Sequence, residues 1–259
     1  MSRALVTGAS SGIGYAICAE LASRGFDLVM VSRTESRLEQ AARSLRERFP
    51  GSDIVFMPLD LSRPQSASQL HSWTEASGYD IDVLVNDAGQ YIYSAVLDTD
   101  PEALESIINL NVLALTQLCR LYGEDMAKAG SGRILNMSSY SIYMPYRGLA
   151  AYSASKIYVR QFSRCLRKEL KPLGVSVTAA APAGVDTGLM GLSDRIRSLA
   201  RKTSFLMKPA TAARRLVRAM LRGKAYVIPG RYNALWIPFL RPAGPLVNRI
   251  LDRETVRRS

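Results

Sequence analysis

One histidine, His71, and three scattered cysteines, Cys18, Cys119 and Cys165, are all that 259 residues offer toward a soft-metal or disulfide site. The cysteines form no Cys-x-x-Cys pair and sit in apolar, helix-like surroundings, which argues against zinc and disulfides and fits a reducing cytoplasm. No metal is expected. No leader precedes the first strand-like run, Arg3-Ala-Leu-Val-Thr7, so secretion is not expected either. Apolar runs fall short of the roughly 20 residues a membrane-crossing helix needs. The longest candidate stretch, near the C-terminus, is interrupted by Pro238, Pro242 and Pro245. There is no internal repeat, no linker rich in Pro, Gly or Ser, and no recognisable nucleic-acid module.

What remains is a chain with 47% hydrophobic and 22% charged residues, enough to bury a sizeable core as one domain over 1–259. Lys and Arg number 34 against 22 Asp and Glu, a net charge of +12. The excess concentrates late, from Arg195 through Lys224 and again at Arg253, Arg257 and Arg258. Such a basic C-terminal third can face phosphate, anionic lipid or an acidic partner, or be solvated helix surface around an anionic cofactor.

Short apolar runs alternate with amphipathic stretches. Strands are predicted at 4–6, 27–31, 53–57, 83–85, 133–137, 176–180 and 225–228, and helices at 13–24, 35–48, 64–77, 101–129, 151–170 and 210–221. Strands separated by helices require parallel pairing through right-handed crossovers, an α/β doubly wound sheet of about seven strands. Alternation lapses after Gly188. Residues 189–206 are expected as a substrate lid and 225–259 as an apolar, basic extension.

The turn Thr7-Gly-Ala-Ser-Ser-Gly-Ile-Gly14 follows the first strand and opens the first helix. Gly8 allows a tight turn, and Gly12 and Gly14 allow close approach to a pyrophosphate at a helix N-terminus. In that context dinucleotide binding is the favoured reading. A carboxylate ending the second strand would bind a ribose 2'-hydroxyl, but this chain has Val31-Ser-Arg-Thr34 there. Ser32 and Arg33 suit a 2'-phosphate, so NADP(H) is expected over NAD(H).

Further on, Tyr152-Ser-Ala-Ser-Lys156 sets a phenol and an amine four apart, on one face of a predicted helix. An ammonium so placed is expected to lower the phenol's pKa and ready it for proton transfer.

Together with Asn86-Asp-Ala-Gly89, Asn111 and Ser138-Ser139, these motifs resemble the short-chain dehydrogenase/reductase family in order and spacing, from Arg3 to about Thr187. The resemblance implies a three-layer Rossmann fold, a nicotinamide cofactor and carbonyl/alcohol interconversion. It implies a catalytic set of Asn111, Ser139, Tyr152 and Lys156. It implies cofactor contacts from Gly8, Ser10, Ser11, Gly12, Ile13, Gly14, Ser32, Arg33, Asp60, Leu61, Asn86, Ala88, Gly89, Tyr152, Lys156, Pro182, Gly184, Val185 and Thr187. Two departures stand out: Asp87 where the family often has a second asparagine, and Ala183 where it usually has glycine.

Substrate information is expected in the aromatic loop Tyr140 to Tyr146 and in the lid, both apolar enough for a lipid-, acyl- or steroid-like ketone. Long helices of this kind pair between subunits in the family, implying a homodimer or homotetramer. The tail around Trp236 and Phe239 can lie on a membrane surface, pack on another subunit or cover the pocket. The expected location is the cytoplasm, with peripheral membrane contact through that tail as the variant. The competing readings are a catalytically silent nucleotide-binding regulator and a lipid-binding surface protein. No nucleic-acid partner is expected.

Overall fold

A computed structural model describes residues 2–187, 206–230 and 237–238 of the chain. Seven strands, β1 (Arg3–Thr7), β2 (Asp27–Ser32), β3 (Ile54–Pro58), β4 (Val83–Asn86), β5 (Gly132–Met137), β6 (Val175–Ala180) and β7 (Tyr226–Val227), form one parallel sheet in the order β3-β2-β1-β4-β5-β6-β7. All seven coincide with predicted runs. The sequential order breaks between β1 and β4, which pair Ala4 with Val83 and Thr7 with Asn86. In an open sheet that switch point leaves a crevice outside the strands' carboxyl ends.

Side chains alternate across each strand, so the two faces of the sheet build two cores. Ala4, Val6 and Met30 meet Ile17 and Leu21 of α1 (Gly12–Ala22), Leu38 and Leu45 of α2 (Glu35–Arg48), and Leu216 and Met220 of a C-terminal helix (Pro209–Leu221). Leu5, Val29, Leu84 and Ile134 meet Leu70 of α3 (Ser66–Ala76) on the other face. Tyr122 and Val159 complete that second core. They come from the helices that hold residues 115–128 and 150–170. These are the doubly wound layers of a Rossmann-type fold. At the strands' amino ends Arg3 reaches Asp53 at 2.7 Å and stacks over Tyr79, far from the crevice.

The predicted helix over 101–129 is in fact three pieces: α4 (Pro101–Ile108), a π-helical segment (Asn109–Ala114) and α5 (Leu115–Lys128). Pro101 and the capping Asp100 side chain, accepting from Glu102 N at 2.9 Å, start it cleanly. The π segment widens the ladder around Asn111, a device concentrated at functional sites. α6 (Ala150–Leu170) follows, and the C-terminal helix is α7 (Pro209–Leu221). The expected lid, 189–206, lies outside the described residues apart from Leu206, and so does most of the extension beyond Gly230.

Candidate active site

Two positions of the glycine-rich turn leave no room for a side chain. Gly8 has φ +69°, and a Cβ there would come within 2.9 Å of Ala88 N. A Cβ on Gly14 would strike Gly8 O and come within 2.7 Å of Asp87 Oδ2. No residue larger than glycine fits at either position. Ser11 makes no side-chain cap at α1 and no acid stands in its first turn, so no group of the helix's own neutralises the positive N-terminal end that faces the crevice. On the second strand Ser32 Oγ lies 2.9 Å from Ser10 Oγ.

A cleft of about 1250 Å³ runs over this turn, lined by Gly8, Ser10, Ser11, Gly12, Ile13, Ser32, Ala88, Gly89, Tyr152, Lys156, Pro182 and Thr187. Asp87, Gln90, Ser138, Arg37 and Asp186 line it too. Of these, Arg37 was not expected at the cleft from the sequence, although it stands four after Arg33, on the first turn of α2. A glycine cradle, a helix N-terminus without a cap of its own and cations at both ends suit an elongated anion such as a dinucleotide.

Seven of the expected cofactor residues, Gly14, Arg33, Asp60, Leu61, Asn86, Gly184 and Val185, are not brought to the lining. Asn86 turns its amide inward, donating to Asn136 Oδ1 at 2.9 Å and to Cys119 Sγ at 3.3 Å, while its Oδ1 is buried without a partner. The alternation of β4 points it away from the cleft. Leu61 is buried in the second core. Gly184 and Val185 are drawn to Met207 instead: Met207 N donates to Gly184 O at 2.9 Å, and Val185 is buried. Asp60 accepts from Ser62 N and Oγ at 3.0 and 2.7 Å. Partial burial pushes its carboxyl up, but the Ser62 bonds, Arg33 and Arg63 outweigh it and hold it below the usual range. Arg33 itself is exposed just past β2, within electrostatic reach of Asp60.

The four expected catalytic residues converge from β5, the π segment and α6. Ser139 caps a short 3-10 turn by accepting from Ser141 N at 3.1 Å, and its side chain is hydrogen-bonded to Tyr152. Ser138 Oγ donates to Lys156 O at 2.7 Å, tying the end of β5 to α6. Lys156 Nζ donates to Met137 O at 3.0 Å and lies 5.9 Å from the Tyr152 ring centroid. Asn111 is held locally: Oδ1 accepts from Gln90 N at 2.9 Å, and Nδ2 donates to Gln90 O at 3.0 Å and to Ser155 Oγ at 3.1 Å. It thereby pins the turn after β4, with Gly89 between it and Lys156.

One electrostatic expectation is reversed. Burial raises the Tyr152 phenol above its ordinary value, the Ser139 bond pulling down and the Asp87 charge adding to the rise. Burial also lowers Lys156 to about 8, against the opposing pull of Asp87. Desolvation therefore outweighs the phenol–ammonium pairing in the chain alone.

Beside Tyr152 an apolar cluster gathers Ile107, Tyr146 and Leu149 with Tyr91, Ile92 and Met144. Tyr91 meets Tyr152 edge-to-face at 4.9 Å, and burial lifts its hydroxyl to about 12. Tyr143, from the same loop, turns elsewhere to Tyr226 and Arg160.

Residues 2–195 match the short chain dehydrogenase family. The chain is 34% identical over 206 residues to a very-long-chain 3-oxoacyl-CoA reductase of Podospora anserina, covering 79% of this chain and 58% of that protein. It is 32% identical over 236 residues to the protein of the same name from Neurospora crassa, covering 90% and 69%. The chain thus spans little more than half the length of the first of these relatives. A short-chain dehydrogenase from Sphingobium yanoikuyae in complex with NADPH has the same fold, with a TM-score of 0.81 and 29% identity over 94% of this chain and 93% of that one. Because the match runs from the first strand past Thr187, this chain belongs to the short-chain dehydrogenase family of oxidoreductases.

Proposed function

We propose that the protein is an NADP(H)-dependent oxidoreductase that interconverts a hydrophobic ketone and its secondary alcohol. The observation that carries the reading is the Tyr152 hydroxyl, bonded to Ser139 and backed by Lys156 where the nucleotide cleft meets an apolar cluster. A nicotinamide cofactor held in the cleft would supply the hydride in reduction and accept it in oxidation. Tyr152 gives a proton to the carbonyl oxygen in reduction and takes it back in oxidation. Ser139 hydrogen-bonds the same oxygen and stabilises the charge that develops on it. Lys156, held cationic near neutrality, holds the nicotinamide ribose and favours the ionised phenol. Asn111 keeps the turn at Gln90 in register for that work, and Thr187 stands ready for the carboxamide. Arg33 and Arg37 receive the 2'-phosphate, which makes NADPH the preferred cofactor.

Tyr91, Ile92, Met144, Tyr146 and Leu149 exclude water and favour an apolar substrate. The two fungal relatives are very-long-chain 3-oxoacyl-CoA reductases, which supports an acyl ketone as the substrate class. The subunits pair through α4, α5 and α6, and the location is the cytoplasm with peripheral membrane contact through the C-terminal tail. Replacing Tyr152 by Phe tests the reading. Ketone reduction should fall by about 10²- to 10⁴-fold with NADPH affinity nearly unchanged; retained turnover would remove Tyr152 as the acid. Screening ketones of graded chain length with NADPH and with NADH reads substrate class and cofactor preference together.

A further inference from the structure

Asp87 lines the cleft, yet the chemistry above gives it no task. Its own N–H and that of Ala88 donate to Thr7 Oγ1 at 3.1 and 3.0 Å, which fixes the turn after β4. Its carboxylate accepts a hydrogen bond from the Gly14 N–H. Gly14 stands in the first turn of α1, where no side chain of the helix's own provides a cap. Asp87 therefore caps α1 from 73 residues away, and it does so with a negative charge at the same positive helix end that must receive a pyrophosphate. A carboxylate and a phosphate anion compete for that end.

The groups that face this carboxyl are few. From α6 come the Lys156 ammonium and the Tyr152 phenol, from α1 the Cys18 thiol, and from β1 the neutral Thr7 hydroxyl. Among the described residues only Lys156 opposes its charge. Burial nevertheless lifts the carboxyl to about 7, over the lowering pulls of Lys156 and the Gly14 bond. A group poised there changes its protonation when one further anion arrives.

We propose that Asp87 takes up a proton when an anionic dinucleotide binds, so that the turn holds the pyrophosphate against a neutral carboxylic acid. The inference rests on the dinucleotide reading of the cleft. The proton comes from solvent and returns to it on release, with no covalent bond to carbon made or broken. The neutral acid keeps its bond from Gly14 through its carbonyl oxygen. It then presents the same shape as the asparagine often found at this position in the family, with a proton that can leave. Above neutrality, binding must recruit that proton, and affinity falls with pH by up to about tenfold per unit.

Calorimetric titration of the full chain with NADPH, at about pH 8 in buffers of different ionisation enthalpy, counts the protons exchanged. The nucleotide's 2'-phosphate also titrates, so the deciding quantity is wild type minus Asp87→Asn. The expected difference is an uptake of roughly half a proton or more, with the variant's affinity flatter between about pH 6.5 and 8.5. Equal proton counts would overturn the proposal while leaving the dinucleotide site intact. Absence of NADPH binding to either protein at about pH 6.5 would overturn the site reading itself. A readout on wild type alone covers a variant that does not fold: carbon-labelled aspartate carboxyls followed by NMR. One carboxyl should titrate near neutrality in the free protein and stay protonated at about pH 8 with NADPH bound, and a carboxyl unchanged by NADPH refutes the uptake.

Discussion

Arg33 sits in the open at the end of β2, within electrostatic reach of Asp60. A guanidinium so exposed contributes little to folding, so its value lies in what binds beside it. Arg33→Ala should weaken NADPH by about tenfold or more, the worth of a charge-assisted bond, while NADH affinity measured by fluorescence titration stays within about twofold. Equal losses for both cofactors would contradict a 2'-phosphate contact. Asp87 leaves a second mark at this scale, in the chain without cofactor. Folded, it keeps its proton up to about 7, whereas an unfolded chain's aspartate loses it near pH 4. The folded state binds the extra proton between those values. Its contribution to stability is fully present below about pH 4 and is lost as pH rises through about 7. Melting temperatures of wild type and Asp87→Asn should therefore diverge in the variant's favour across that window, and a constant difference would show that the carboxyl is not buried as described. Both arginine and aspartate were legible in the sequence as residue types at marked positions. The rise of the Tyr152 phenol was not, because desolvation depends on what packs around a side chain and spacing along a helix does not report it.

Helices 35–48 and 150–170 and all seven strands were legible as elements, since period and flanking turns mark them directly. The break in 101–129 was not. A π segment inserts its extra width without changing the apolar pattern enough to read, and it is Asn111's bonds to Gln90 and Ser155 that make it intelligible. Asn111→Ala leaves the Gln90 N–H and C=O without their partners and should cost about 1–3 kcal/mol. Denaturant midpoints measure that loss, and cofactor affinity should fall with it; an unchanged midpoint would mean the turn does not depend on this side chain. The same helices carry exposed Ile108, Leu113, Ile157 and Tyr158. Four large apolar side chains on three neighbouring elements, α4, the π segment and α6, are a candidate pairing surface. Ile157→Glu, placed on that surface and outside the catalytic set, should convert an oligomer to monomer by light scattering, and an unaltered mass would move the interface elsewhere.

For the whole molecule, two cores on opposite faces of the sheet, with the order reversing between β1 and β4, put the crevice at one end and leave the Arg3 cluster at the other. The excess of positive charge has a place as well. Arg214, Arg215, Arg218 and Arg222 are exposed along and just past α7, which carries no acidic residue. Among the described residues no helix is long and apolar enough to cross a membrane. Binding to anionic vesicles should be present at low salt, weaken as ionic strength rises, and drop when residues after Gly230 are removed, a truncation that leaves every described strand in place. Binding unaffected by that truncation would assign the attraction to α7 and dismiss the tail.

The sequence by itself determined the layered α/β architecture, the glycine turn and the identity of the residues around Tyr152, because periodicity, turn chemistry and motif spacing are local properties of a chain. Only the tertiary structure decided which of those residues face the cleft. The turning of Asn86 into the core, the capture of Val185 by Met207, the capping of α1 by Asp87 and the balance of burial against charge at Lys156 all depend on contacts between segments far apart in sequence. Desolvation and hydrogen-bond satisfaction are set by those contacts, and no local pattern carries them.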